Sequence, residues 1–160
     1  MVIKHHLYSA VVVMLSAFML LPVQPVAAQK APVLVQVNSG SRAPYGNVQD
    51  LTIDNRGQCI YYLTTVKGAL IDSMRFNLRV TQVDSFLTGA VSLGFFKLRD
   101  QYKTGSDGAG VYLSLNNKGS KHSVDVKNQS IPEVDQVVAL LNRILQPHNV
   151  WIYYGQKEQR

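Results

Sequence analysis

The sequence predicts an α+β domain, an antiparallel sheet with two helices packed on one face, placed after an N-terminal signal peptide. Three observations lead there. Apolar runs rich in β-branched and aromatic residues are separated by Asn-Arg-Gly and Asn-Lys-Gly turns, which mark hairpins. Two later segments switch to a period near 3.6. Helical and strand segments do not alternate one for one, which argues against a doubly wound parallel sheet.

Residues 1–28 read as the leader. Lys4 gives a positive start, Leu7 to Leu21 carries no charge, Pro22 and Pro25 break the helix, and Val26-Ala27-Ala28 sets small residues at the cleavage position. The uncharged run is shorter than the ~20 residues a spanning helix needs. No stable membrane span is therefore expected after cleavage, and residues 29–160 are expected to fold as one domain, secreted or periplasmic.

Val33 to Val37 reads as the first strand and Asn38 to Gly46 as a loop. A strand from Val48 to Asp54 turns at Asn55-Arg56-Gly57 into a return strand, Gln58 to Val66. After Lys67-Gly68 the alternation of Met74, Phe76, Leu78 and Val80 predicts a strand with one buried face. Val83, Phe86, Leu87, Ala90 and Val91 then form a helical stripe, with Thr81 or Ser85 as cap and Gly94 as terminator. Phe95 and Phe96 are expected in the core. Lys103 to Gly110 reads as a polar, glycine-rich loop, followed by a hairpin: Val111–Asn116, a turn at Asn117-Lys118-Gly119, and Ser120–Val126. Ser130 and Glu133 suggest a capping box with Pro132 in the first turn. Val134, Val137, Val138, Leu141, Ile144 and Leu145 give the second stripe, which Pro147 is expected to stop. Val150 to Tyr154 reads as a final strand and Gln156 to Arg160 as a frayed end.

The two hairpins, the helix ending in Gly94-Phe95-Phe96-Lys97-Leu98 with Tyr102 beyond it, and the stretch from Pro132-Glu133-Val134 to Leu140-Leu141-Asn142 together resemble a group of small, uncharacterised bacterial exported domains. The resemblance spans most of Thr52 to Leu145. It implies this fold and an envelope location, and it brings no activity with it.

Composition narrows the chemistry. Lys and Arg number 16 against 10 Asp and Glu, a formal +6 that falls by one when Lys4 leaves with the leader. The charges are scattered, without basic runs interleaved with aromatics, so nucleic acid is not expected as a partner. The single cysteine, Cys59, excludes an intramolecular disulfide, lies far from any lipidation position and is expected to be buried. Only His122 and His148 remain after the leader, so neither a metal site nor a cofactor is expected.

No G-x-S-x-G elbow is present. Glu133 and Glu158 are the only glutamates, and Asp72, Asp84, Asp100 and Asp107 lie near turns or helix ends, where aspartate is common for structural reasons. Gly105-Ser106-Asp107-Gly108-Ala109-Gly110 leads into Val111-Tyr112-Leu113, a strand, where a phosphate loop requires a helix. Asn128-Gln129-Ser130 fits a glycosylation sequon, but Ser130 is better used as a helix cap.

The candidate partner-binding side chains are Tyr45, Tyr62, Tyr112, Trp151 and Tyr153; ordinary core and edge packing is the competing account of the same aromatics. The favoured expectation is a non-enzymatic exported binding or accessory domain of the envelope, acting through a sheet face or through the loops Ser39–Gly46 and Lys103–Gly110. Inhibition of a secreted enzyme is one form of that role. Its expected partners are another envelope or secreted protein, or an anionic envelope polymer. The alternatives are a small envelope hydrolase joining His122 or His148 to a Ser and Asp, and a structural protein that assembles through its last strand.

Overall fold

The structure, a computed structural model, describes residues 31–41, 46–104 and 108–153. The leader, Tyr45, residues 105–107 and Tyr154 lie outside the described residues. Seven strands make one sheet in the order β4-β3-β2-β1-β6-β7-β5. In chain order these are β1 Val33–Ser41, β2 Asn47–Asp54, β3 Gln58–Thr65, β4 Leu70–Asn77, β5 Gln101–Lys103, β6 Ala109–Asn117 and β7 Ser120–Lys127. Helix α1, Val80–Ser92, follows β4, and α2, Pro132–Leu145, follows β7. Every pairing is antiparallel except β5 with β7, which is parallel.

Strand periodicity divides the sheet into two faces. Val35, Val37, Leu51, Ile53, Leu113 and Val124 lie on one face, each with no exposed surface. They join Val83, Phe86 and Leu87 of α1 and Val134, Val137 and Leu141 of α2 in a single core. The helices approach closely at Gly89, where a Cβ would stand 2.9 Å from Leu140 Cδ1. Gly57 closes the first hairpin at φ +79°, and a Cβ there would meet the Leu78 carbonyl oxygen at 2.2 Å, so both dihedral and space demand glycine.

Several sequence expectations are corrected. β1 runs on through Ser39 to Ser41, because both its edges stay paired, to β2 and to β6. β4 starts at Leu70 and ends at Asn77; Leu78 is buried after leaving the strand, its amide donating to the Gly57 carbonyl at 2.9 Å. Val80 opens α1 and is half exposed, as is Val91, so the buried stripe of α1 is Val83, Phe86, Leu87 and Ala90. Arg79 is the N-cap of α1, and the Gln82 side chain accepts its amide hydrogen at 3.0 Å. The Ser130–Glu133 box does not form. Pro132 holds Ile131 extended and makes it the N-cap, which shifts the register by one, and the Ser130 hydroxyl instead donates to the Asp135 carboxylate. α2 ends at Leu145, two residues before Pro147, and a 3-10 turn over Gln146–His148 leads to Asn149, φ +57°.

Gln101–Lys103, of which only Lys103 carried an expectation, as the start of a loop, is β5. Its flanks are pinned by the Asp125 amide on the Asp100 carbonyl (2.8 Å) and the Thr104 amide on the Lys127 carbonyl (3.2 Å). The expected last strand is not a strand. Val150–Tyr153 joins no ladder, and side chains take the place of one. Asn142 brackets Ile152, donating from Nδ2 to its carbonyl at 3.0 Å and accepting its amide at 2.8 Å. Gln49 donates to the Trp151 carbonyl at 2.7 Å and accepts from the Tyr153 amide at 2.9 Å, and Ser39 donates to the Tyr153 carbonyl. This C-terminal segment is thereby held between α2 and the helix-side face of β1 and β2, with Val150 and Ile152 in the core.

Candidate functional site

The other face of the sheet carries neither helix. Register places one row of side chains across it: Ser73, Tyr62, Asp50, Asn38, Tyr112, Asp125 and Gln101, one from each strand. Within the row Asn38 Nδ2 donates to Asp50 Oδ1 at 2.6 Å. The Tyr112 hydroxyl donates to Ser123 Oγ at 3.2 Å, which in turn donates to Ser114 Oγ at 2.9 Å. The phenol ring is thus held over β6 and β7. Asp125 Oδ2 lies 3.3 Å from Lys127 Nζ and 3.7 Å from Lys103 Nζ.

Two hollows open on this face, of about 350 and 460 Å³, and Tyr112 and Asp125 line both. The first exists because Gly40 and Gly110 are paired across β1 and β6, leaving a gap in the side-chain layer. A Cβ on either glycine would fall 2.6 Å from the Asn47 carbonyl oxygen or 2.7 Å from that of Val126. Close backbone approach therefore fixes both glycines, and the gap is built into the fold. Asn38, Val48, Val66 and Lys127 complete its walls. The second hollow continues past β7 to the sheet edge beside β5, with Asp100, Gln101, Lys121, His122 and Ser123.

The sequence-derived aromatics divide between two places. Tyr62 and Tyr112 share the open-face row, three strand spacings apart, about 14 Å. Tyr62 is 39% exposed. Trp151 and Tyr153, 46% and 62% exposed, sit on the C-terminal segment at the helix side and do not join them. Asn38, Asp125 and Lys127 went unselected in the sequence, and Gly40 and Gly110 entered only as members of the candidate loops Ser39–Gly46 and Lys103–Gly110, since Asn38 and Gly40 look like turn residues. Their alternation, Gln36-Asn38-Gly40 against Val35-Val37-Ser39, was the available signal.

Other chemistry finds little support in the geometry. Asp50 and Asp125 stand three strand spacings apart, about 14 Å, whereas the carboxylates of a glycoside hydrolase lie ~5–9.5 Å apart. His122 packs edge-on against Phe95, centroids 5.6 Å apart, with Nδ1 3.9 Å from Asp100 Oδ1 and a buried Nε2 that has no hydrogen-bond partner. A triad would aim that nitrogen at a serine hydroxyl. His148 stacks on Phe76 at 4.4 Å. Among the described residues no three His, Cys, Asp or Glu side chains are grouped to hold a metal ion, and no helix is long and apolar enough to cross a membrane. Cys59 is buried, and that burial pushes its thiol up to about 12. Burial also raises Tyr61, against the opposing hydrogen bond from Gln49 at 3.0 Å.

No protein-family model matches the chain, and no curated protein matches its sequence.

Proposed function

We propose that this chain is an exported, non-enzymatic binding or accessory module of the envelope, and that it works through the open face of its sheet. One observation carries the reading: the face left uncovered by the helices holds two adjoining hollows that meet at Tyr112 and Asp125. Concave surface with a few convergent polar groups is where ligands are ordinarily taken. The groups here are paired with one another and held on strands, so the surface is preformed. The export rests on the leader-like sequence of residues 1–28.

Retention of envelope material on the immobilised secreted chain tests this reading. Wild type should retain a component that Tyr112→Ala and Asn38→Ala both lose, with circular dichroism confirming that each variant is folded. Equal retention by wild type and variants, or none by either, would overturn it.

A further inference from the structure

The ligand class can be read from the charge and hydrogen-bonding character of the joined hollows. In a chain of formal charge +6, their lining is balanced: Asp100 and Asp125 face Lys121 and Lys127. A groove that recognised a polyanion would carry an excess of cations. The donors and acceptors instead come side by side, Asn38 with Asp50, Asp125 with Lys127, Tyr112 with Ser123. Such pairs suit a group that donates and accepts at once, as a hydroxyl does. The Tyr112 ring between the hollows supplies an apolar surface with a polar tip.

The Gly40–Gly110 hollow crosses β1, β6 and the Asp125–Lys127 stretch of β7, where the ladder already occupies the backbone groups on both sides. A peptide strand docks at a sheet edge, through main-chain hydrogen bonds. Here a ligand can be held by side chains alone.

We propose that the open face binds a neutral oligosaccharide, one sugar over the Gly40–Gly110 hollow and a neighbouring sugar beyond Tyr112. The proposal rests on the open-face reading and narrows it. Lys127 and Asn38 donate to ring hydroxyls, Asp125 accepts from them, and Tyr112 packs against the sugar's C–H surface.

The test is amide-resolved NMR titration of the secreted chain with cellohexaose, maltohexaose, mannohexaose and the N-acetylglucosamine hexamer, beside polygalacturonate and heparin. At least one neutral hexamer should shift the amides around Asn38, Gly110, Tyr112 and Asp125. Its Kd should change less than twofold between 50 and 500 mM salt, and Tyr112→Ala should weaken it at least tenfold. Asn38→Ala, whose exposed side chain hydrogen-bonds Asp50, should weaken it several-fold and guards against misfolding of the tyrosine variant. Absence of binding by every neutral hexamer at 10 mM would overturn the proposal, as would binding confined to the polyanions. If the open-face variants still lose a retained envelope component, the binding-module reading survives either result. Sugar-induced shifts confined to the helix side would overturn both.

Discussion

Replacing Asn142 by leucine tests the way the C-terminal segment is held. Asn142 is 3% exposed and satisfies both the amide and the carbonyl of Ile152, itself 1% exposed. Leucine fills a similar volume but leaves two buried backbone groups without partners, at ~1–3 kcal/mol each. The segment can escape that cost by undocking, which exposes Val150 and Ile152 at ~1.5–3 kcal/mol each. The molecule takes the cheaper route, so the loss should be about 3 kcal/mol, a fall of about 2 M in urea midpoint at a slope of ~1.5 kcal/mol/M. Trp151 is the only tryptophan and lies within the segment, so its fluorescence reports docking while circular dichroism reports the sheet. In Asn142→Leu the fluorescence transition should come at lower urea than, or together with, a lowered dichroism transition. A midpoint within about 0.3 M of wild type by both probes would refute the claim that side-chain amides hold this segment.

Other substitutions probe separate parts of the account. Gly57→Ala should cost about 3 kcal/mol or more, from positive φ together with the 2.2 Å approach of the Leu78 oxygen, whereas Gly119→Ala, with φ +88° and open space, should cost about 1 kcal/mol; equal losses in urea melts would contradict this. His122→Leu removes a buried nitrogen without a partner and only an outlying contact to the 85%-exposed Asp100, so stability should stay level or rise by up to about 1 kcal/mol; a clear loss would show that the imidazole is used. The Cys59 thiol should resist a thiol reagent at pH 8 until the chain unfolds. Because its folded value is raised from 9.0 to about 12, its protonated form adds stability that is complete below pH 9 and lost as pH climbs toward 12. Cys59→Ala should show a shallower alkaline fall, and an identical slope would count against the burial argument.

The sequence disclosed elements whose determinants are local. Asn55-Arg56-Gly57 and Lys118-Gly119 turn where backbone conformation limits the choice of residue, and the stripes of α1 and α2 follow from helix geometry. It hid features whose partners are distant. β5 has no apolar alternation to betray it, because its three residues are at the sheet edge and are held by β7. Val150–Tyr153 has strand composition, yet its hydrogen bonds go to Gln49, about a hundred residues earlier, and to Asn142 on α2. The aromatics were visible singly, but nothing local separates Tyr62 and Tyr112 on one face from Trp151 and Tyr153 on the other. The hollow is more distributed still, since it depends on Gly40 meeting Gly110 across two strands.

The central claim is that function resides on the face opposite the helices. The most direct measurement is an amide NMR map of residues 29–160 during titration with whole envelope extract. Changes should cluster at Asn38, Gly40, Gly110, Tyr112, Asp125 and Lys127, with α1, α2 and residues 150–153 unchanged. Changes centred on Trp151 and Tyr153, with the open-face amides still, would contradict it.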